Sequence, residues 1–300
     1  MKKNLLLATT IALMACSAAA PDQADAQQNT PAIKTELIRD NIYLMTGPGG
    51  NIGVSVGDEG TFVIDDKFAQ LGEQIIDAID AISDKPIRYV LNTHFHGDHT
   101  GANVALKDTG AIIVAHENVR TRMGISFENE LFGRTIDARE PESWPTLTYS
   151  ENATFYLNGQ EVRAIHTPHA HTDGDSIIYF SEANIMHMGD NYFKGILPYI
   201  DVDAGGTLQG MIASHNVALD IINDDTVIIP GHGALATKAD LMADRDILID
   251  IQNIVQARID AGNDLDLMIK EKILIKYADN VQFINEDNMI RIAYRSLADK

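Results

Sequence analysis

The feature that most constrains the fold is a cluster with the sequence His-Phe-His-Gly-Asp-His at residues 94–99, directly after an apolar stretch typical of a buried strand. In an extended segment His94 and His96 point to the same side, because side chains two residues apart share a face. Two imidazoles on one side can form part of a tetrahedral ligand set, and a turn at the glycine can direct Asp98 and His99 towards a second ion. The cluster therefore predicts a metal centre at the end of a strand.

Three later segments also place histidine or aspartate directly after an apolar stretch. They contain His166, His169 and His171, then Asp190, and finally His232. Ligand-binding side chains of open α/β folds gather at the ends of strands, where loops meet at one edge of the sheet. We therefore expect these segments to contribute to the same site.

Strand-like and helix-like patterns alternate from residue 33 onward, which predicts an α/β fold, and the length suffices for one large domain or two small ones. Strands are expected at residues 36–46, 51–56, 61–64, 87–91, 111–115, 153–157, 161–166, 176–180 and 226–229. Helices are expected at residues 71–82, at 205–222 and after the capping-box pattern of Thr237 and Asp240. Residues 117–145 have no clear periodicity and are predicted to form a long surface loop over the site.

The composition excludes several classes of function. A chain of 300 residues can bury a large core, and no internal stretch reaches the roughly 18 apolar residues of a membrane span. The formal net charge of -20 repels phosphate groups, so we expect no nucleic-acid or anionic membrane partner. No protein partner is indicated, and we expect a small-molecule substrate.

Residues 1–26 have the features of an export signal, or of a lipoprotein leader with its linker. Lys2 and Lys3 precede an apolar stretch at residues 5–15. The sequence Leu-Met-Ala-Cys ending at Cys16 resembles a bacterial lipoprotein box with a lipid anchor on Cys16, whereas Ala-Asp-Ala at residues 24–26 offers an alternative cleavage site. Cys16 is the one cysteine of the sequence, so no intramolecular disulfide can form. Either alternative predicts a periplasmic or outer-membrane-associated protein.

These motifs resemble those of the metallo-β-lactamase superfamily, in which H-x-H-x-D-H is followed by a histidine, an aspartate or cysteine, and a histidine. The resemblance covers roughly residues 35–260. It implies that residues 33–300 form one catalytic domain, a four-layer αβ/βα sandwich with two zinc ions per chain. It implies that His94, His96 and His171 bind the first zinc, that Asp98, His99 and His232 bind the second, and that Asp190 bridges them. His171 is preferred to His169 because the family's histidine usually precedes Thr or Ser, with Gly two positions further on.

The residues around Asp190 bear on the substrate. The most familiar zinc β-lactamases have cysteine here, a substrate-binding lysine three residues later, and arginine in place of His99. In this chain the nearest lysine is Lys194, four residues on. The ligand set therefore resembles the wider hydrolase branch that includes glyoxalase II and lactonases. Tyr192 and Lys194 are predicted substrate contacts, and Tyr199 is a further candidate in the same loop.

The resemblance implies an exported dinuclear zinc hydrolase, and β-lactams are the first candidate substrate because they act outside the cytoplasm. Such an enzyme would serve antibiotic resistance. Two zinc ions about 3.5–4 Å apart can lower the pKa of a shared water, which then attacks a carbonyl group. Asp98 is the predicted catalytic residue, since it can orient this nucleophile or relay its proton. Asp65 is a candidate for orienting a ligand histidine.

Three alternatives remain. Asp190 and His99 favour a lactonase or thioesterase of the glyoxalase II type. Some superfamily members are iron-dependent sulfur dioxygenases, and a zinc-binding exported protein without turnover is the last alternative. His116 is expected to be structural, and neither His187 nor His215 is assigned a role.

Overall fold

The computed structural model of the protein describes residues 33–298. Its strands are β1 (Lys34–Arg39), β2 (Ile42–Thr46), β3 (Ile52–Ser55), β4 (Thr61–Ile64), β5 (Ile87–Leu91), β6 (Ile112–His116), β7 (Phe127–Asn129), β8 (Arg134–Ile136), β9 (Leu147–Tyr149), β10 (Asn152–Leu157), β11 (Gln160–His166), β12 (Ser176–Phe180), β13 (Ile185–Phe193) and β14 (Val227–His232). Its α-helices are α1 (Gly72–Asp80), α2 (Gly97–Thr100), α3 (Asn103–Asp108), α4 (Glu117–Met123), α5 (Leu208–Ile221), α6 (Lys238–Asp260), α7 (Leu265–Lys270) and α8 (Glu286–Ala298).

The strands form two large sheets that pack face to face. One sheet has the order β1-β2-β3-β4-β5-β6-β9, and its neighbours from β4 to β9 are parallel. The other has the order β10-β11-β12-β13-β14, in which only β13 and β14 are parallel. Phe62 and Ile64 of the first sheet share a buried cluster with Ile178 and Phe180 of the second. This cluster is the hydrophobic layer between the two sheets.

Helices cover the outer face of each sheet. Ile75 and Ile79 of α1 belong to the same buried cluster as Val63 and Val90 of the first sheet. On the other side Ala218 of α5, together with Leu241 of α6, packs against side chains of β13 and β14. The layer order is therefore helix, sheet, sheet, helix, and the predicted four-layer αβ/βα sandwich is confirmed. The predicted capping box of Thr237 and Asp240 is also present at the start of α6.

The segment at residues 117–145 was predicted to lack regular structure, and this was wrong. It contains α4 and a hairpin of β7 and β8, in which Phe127 pairs with Ile136 and Asn129 pairs with Arg134. Each of these elements has seven residues or fewer, too few to produce a readable apolar period. The Nδ1 atom of His116 accepts a hydrogen bond from the Asn118 amide and caps α4, so this histidine has a structural contact, as expected.

None of the helices within residues 33–298 is both long enough and apolar enough to cross a membrane. The predicted export signal, its two processing sites and Cys16 all lie outside the described residues.

Candidate metal centre

Seven side chains meet at one edge of the two sheets in two groups, each able to hold a metal ion. The first consists of His94, His96, His171 and Asp190, and the second of Asp98, His99 and His232. Within each group the candidate ligand atoms lie within 4.8 Å of one another. They are supplied by the loop after β5 together with α2, by the loop between β11 and β12, and by β13 and β14. The structure thus brings together every ligand that the sequence predicts.

Each imidazole of the first group is hydrogen-bonded through one ring nitrogen, and its other ring nitrogen faces the remaining ligands of the group. The Thr93 hydroxyl donates to Asp65 at 2.8 Å, so it accepts from Nδ1 of His94 at 3.1 Å. This leaves Nε2 of His94 buried without a hydrogen-bond partner. Nε2 of His96 lies 3.0 Å from a carboxylate oxygen of Asp201. A buried imidazole nitrogen without a partner is expected where a metal ion binds.

His171 completes this arrangement. Its Nδ1 donates to the carbonyl oxygen of Tyr199 at 2.7 Å, and its Nε2 lies 2.8 Å from Nδ1 of His96. His169, by contrast, is held at Nδ1 by the carbonyl oxygen of Gly205, away from the group. The sequence preference for His171 over His169 agrees with this geometry.

Asp190 lies between the two groups. Its Oδ1 is 3.0 Å from Nε2 of His99 and 3.4 Å from Nε2 of His232, while its Oδ2 is 3.6 Å from Nε2 of His171. Asp98 reaches Nε2 of His232 at 3.3 Å. An aspartate with one oxygen towards each group has the placement that a bridging ligand requires.

The electrostatics of the first group favour a cation, whereas in the second group the neighbouring carboxylates outweigh burial, raise the pKa of His232 to about 9 and raise that of His99 well above its usual range. Burial lowers the pKa of His94 well below its usual range, and it lowers the pKa of His171 to about 4. Burial alone would raise the pKa of Asp190, but the nearby His99 and His232 hold it well below its usual range. Neutral His94 and His171 beside an ionised Asp190 are the protonation states in which these side chains bind metal ions, and His99 and His232 would release their protons on binding one.

Two further aspartates orient the histidines. Asp65 is fully buried; it accepts hydrogen bonds from the Thr93 amide at 2.7 Å and from Nδ1 of His99 at 2.7 Å. The sequence indicated Asp65 as a candidate for this contact. It missed Asp201, which contacts His96 across 105 positions of sequence, and no local motif around Asp201 signals that contact.

A glycine-rich turn at residues 47–50 packs against the second group. The Gly50 amide donates to the carbonyl oxygen of Asp98 at 3.0 Å, and its carbonyl oxygen accepts a hydrogen bond from the buried Lys67 ammonium. A Cβ atom at Gly50 would lie 2.1 Å from Cε1 of His99. Only glycine permits this approach of main chain to imidazole.

The metal groups open onto a cleft of about 480 Å³. Its walls are mainly aromatic and comprise Phe68, Phe95, Phe127, Phe132, Phe193, Tyr199 and Phe283. The lining of the cleft also includes Asp98, Asn129, Arg134 and Arg139. Tyr199, a candidate from the sequence, therefore lines the cleft, as does the β7–β8 hairpin.

Tyr192 and Lys194 do not line this cleft, so the structure corrects their prediction as substrate contacts. The Tyr192 hydroxyl donates to Asp244 at 2.7 Å, on the side of β13 that faces the outer helices. Lys194 donates to Asp240 at 3.1 Å and to a neighbouring carbonyl oxygen. The physical reason for Tyr192 is that it shares the outer buried cluster with Met186 and Met188, as the alternation of β13 requires, whereas the register of β13 shifts on both sides of Gly189, next to Asp190.

His215 lies outside the metal centre and supports a prediction about acid stability. Its Nε2 donates to the carbonyl oxygen of Asn191 at 2.7 Å, and burial lowers its pKa to about 4 from an ordinary value of 6.5. Between these values the unfolded state binds the extra proton, so His215 stabilises the fold above pH 6.5 and this contribution is lost as the pH falls towards 4. This difference between the two pKa values corresponds to about 3 kcal/mol of the free energy of unfolding.

Urea unfolding of the wild type and His215→Gln between pH 7 and pH 4 measures this contribution. We expect the free energy of unfolding of the variant to fall by about 2–3 kcal/mol less than that of the wild type over this range. Parallel pH profiles would show that His215 titrates alike in the folded and unfolded states.

Comparisons with known proteins agree with this geometry. The model of the metallo-beta-lactamase superfamily matches residues 41–232, which include all seven predicted ligands. Hydroxyacylglutathione hydrolase GloC of Haemophilus influenzae is 29% identical over 169 residues, covering 55% of this chain and 77% of its own length. The alpha subunit of 2,4-dinitroanisole O-demethylase from Nocardioides sp. is 23% identical over 239 residues, covering 79% of this chain and 68% of its own length.

Two solved structures show the same fold. A metallo-beta-lactamase from Pontibacter korlensis superposes with a TM-score of 0.60 at 16% identity, over 72% of this chain and 98% of its own. A double mutant of the sec-alkyl sulfatase PisA1 superposes with a TM-score of 0.68 at 16% identity, over 88% of this chain and 50% of its own.

Proposed function

The chain belongs to the metallo-β-lactamase superfamily, and from this membership we propose that it hydrolyses a thioester or lactone with the help of two zinc ions. Among the described residues that line the cleft there is no lysine. Lys194, the one candidate for the lysine contact of the familiar zinc β-lactamases, is bound to Asp240 at the start of α6. This displacement of Lys194 is the observation that favours a thioester or lactone over a β-lactam held by a lysine.

The sequence relatives support the same choice. GloC and three further curated relatives are named as hydroxyacylglutathione hydrolases, whose substrates are thioesters. The side chains of the centre, five imidazoles and two carboxylates, also match the ligands that zinc prefers.

Bound zinc would supply a water nucleophile at neutral pH and polarise the substrate carbonyl. The chain itself would orient the reactants. Asp98 has 23% of its side chain exposed against 6% for Asp190, so it is the carboxylate that faces the cleft. Burial would raise the pKa of Asp98, yet His99 and the hydrogen bond to His232 keep it at about 2. Asp98 therefore stays ionised and can accept a hydrogen bond from the attacking water, while the aromatic walls hold the apolar part of the substrate.

Opening of a β-lactam ring is the second candidate, since the fold is shared with a metallo-beta-lactamase of Pontibacter korlensis. Export to the periplasm, proposed from the sequence of residues 1–26, would fit either substrate.

The test is to assay the zinc-loaded protein against an aryl thioester, a γ-lactone, a chromogenic cephalosporin and a carbapenem. We expect kcat/KM for the thioester or lactone to exceed that for either β-lactam by at least about 100-fold, and a chelator to abolish turnover. Lys194→Ala is a matched variant, and we expect it to change kcat/KM by less than about twofold because Lys194 does not reach the cleft. Efficient β-lactam turnover that depends on Lys194 would overturn the proposal. Metal analysis showing a single iron would instead support the dioxygenase alternative.

A further inference from the structure

A continuous aromatic surface leads from the metal centre to the mouth of the cleft. The Tyr199 ring stacks on His96, with centroids 5.8 Å apart and planes at 27°. The ring of Phe132 follows at 5.3 Å and is 43% exposed. A second wall, beside the second ligand group, is formed by Phe283, which lies 4.8 Å from the imidazole of His232 and is 46% exposed. A flat apolar group can therefore lie between the two walls with one end at the metal ligands.

This surface is preorganised by a buried amide. Asn129 is only 3% exposed, and its Nδ2 donates to the Tyr199 hydroxyl at 2.6 Å. Its Oδ1 accepts from the Phe132 amide at 3.1 Å, and its main chain pairs with Arg134 across the hairpin. One side chain thus fixes the wall of the cleft and the hairpin that carries its outer end. Fixing both before binding lowers the entropic cost of holding a ligand.

Arg134 is the cation at the end of this surface. Its guanidinium carbon lies 5.5 Å from the centroid of Phe132, and the residue is exposed. Within residues 33–298 no acidic side chain forms an ion pair with it. Arg139, the other arginine of the cleft, donates to the carbonyl oxygen of Phe95 at 2.7 Å and is therefore engaged by the main chain.

The acidic side chains of the cleft already contact histidines. Its three aspartates, Asp98, Asp190 and Asp201, each lie within 3.3 Å of a histidine nitrogen. On a chain with a net charge of -20, an unpaired arginine at the mouth creates a local site for an anion.

We propose that the substrate is an anionic amphiphile. Its scissile carbonyl lies at the metal centre, its flat apolar body lies along Tyr199 and Phe132, and its anionic group binds Arg134. Two aromatic rings separate Arg134 from His96, so the anionic group and the carbonyl stand at opposite ends of a body about two rings long. This inference rests on the proposed hydrolysis of a thioester or lactone and names the class of molecule that the site selects.

The first test measures turnover of a pair of thioesters that differ in charge alone. S-(4'-carboxybiphenyl-4-yl) thioacetate and its carboxamide analogue are given to the zinc-loaded wild type, Arg134→Gln, Arg134→Lys and Arg291→Gln. We expect the wild type to prefer the carboxylate by about 5–30-fold in kcat/KM, mainly through KM, and Arg134→Gln to lose this preference. Arg134→Lys should retain most of it, and added salt should weaken it. Arg291 is exposed on α8 outside the cleft, so Arg291→Gln should retain it fully.

The second test measures binding without turnover. Calorimetric titration of the same proteins with biphenyl-4-carboxylate and biphenyl-4-carboxamide should show a matching preference that Arg134→Gln removes. An equal loss for both compounds would mean that Arg134 only supports the hairpin, and a preference that survives Arg134→Gln would place the carboxylate on the metal ions. Either result overturns the inference. If neither these thioesters nor the γ-lactone is hydrolysed, the proposed function fails, and the titrations still decide the role of Arg134.

Discussion

Asp190→Ala is expected to lower the metal content of the purified protein from two ions per chain to one or fewer and to reduce hydrolysis by at least about 1,000-fold. Asp190 is the side chain that reaches both ligand groups, with oxygens 3.0 Å from His99 and 3.6 Å from His171. Its removal takes away the carboxylate that reaches both groups and leaves Asp98 as the one carboxylate among the five imidazoles of the two groups. Elemental analysis of the dialysed protein, together with steady-state kinetics, measures both effects.

Asp244→Asn is the matched control. Asp244 lies on the outer side of β13, where it accepts the hydrogen bond of the Tyr192 hydroxyl, and it takes no part in either ligand group. We expect this variant to keep both ions and full turnover. Retention of two ions and of wild-type rate by Asp190→Ala would show that the bridging assignment is wrong.

Gly50→Ala is expected to displace the His99 imidazole and to reduce hydrolysis by about 100-fold or more. The added Cβ would lie 2.1 Å from Cε1 of His99, well inside van der Waals contact. Neither group can move away easily. The main chain of Gly50 is hydrogen-bonded to Asp98 and Lys67, and the His99 imidazole is hydrogen-bonded to Asp65 at 2.7 Å. We expect loss of the ion in the second group and a decrease of about 1–3 kcal/mol in the free energy of unfolding.

Gly262→Ala separates this local effect from a general loss of stability. Gly262 has a φ of +77° and open space around it, so alanine there strains the main chain without touching the centre. It should cost about 1 kcal/mol and leave the metal content at two ions. If Gly50→Ala behaves like Gly262→Ala, the turn at residues 47–50 does not position His99.

The fold and the ligand set were predictable because their signals are local. Strands such as β5 and β12 are short apolar stretches, and His94 and His96 lie two positions apart directly after one of them. Even Asp65, which binds His99, could be found from its place at the end of β4.

The remaining features depend on long-range geometry. Asp201 meets His96 only because the fold brings together segments 105 residues apart. Tyr192 would share a face with Asp190 in a regular strand, but the register of β13 shifts between Gly189 and Phe193, and Tyr192 stays on the outer face with Met188. The sequence of β13 does not reveal this irregularity. The β7–β8 hairpin was missed because three-residue strands carry too little pattern, and with it the sequence missed Arg134.

The distribution of the ligands over the two sheets makes the metal ions non-covalent cross-links. The ligands at residues 94–99 follow a strand of the first sheet, whereas those at residues 171–232 belong to the second sheet and its loops. At the same edge the Ser176 amide donates a hydrogen bond to the Thr93 carbonyl oxygen, which joins the two sheets. Each bound ion would therefore close a long chain loop, as a disulfide does in proteins that have cysteine pairs. An ion present at 1,000 times its dissociation constant adds about 4 kcal/mol to the free energy of unfolding. The supply of metal would thus determine how strongly the two sheets resist separation and proteolysis at this edge, as well as the rate of catalysis.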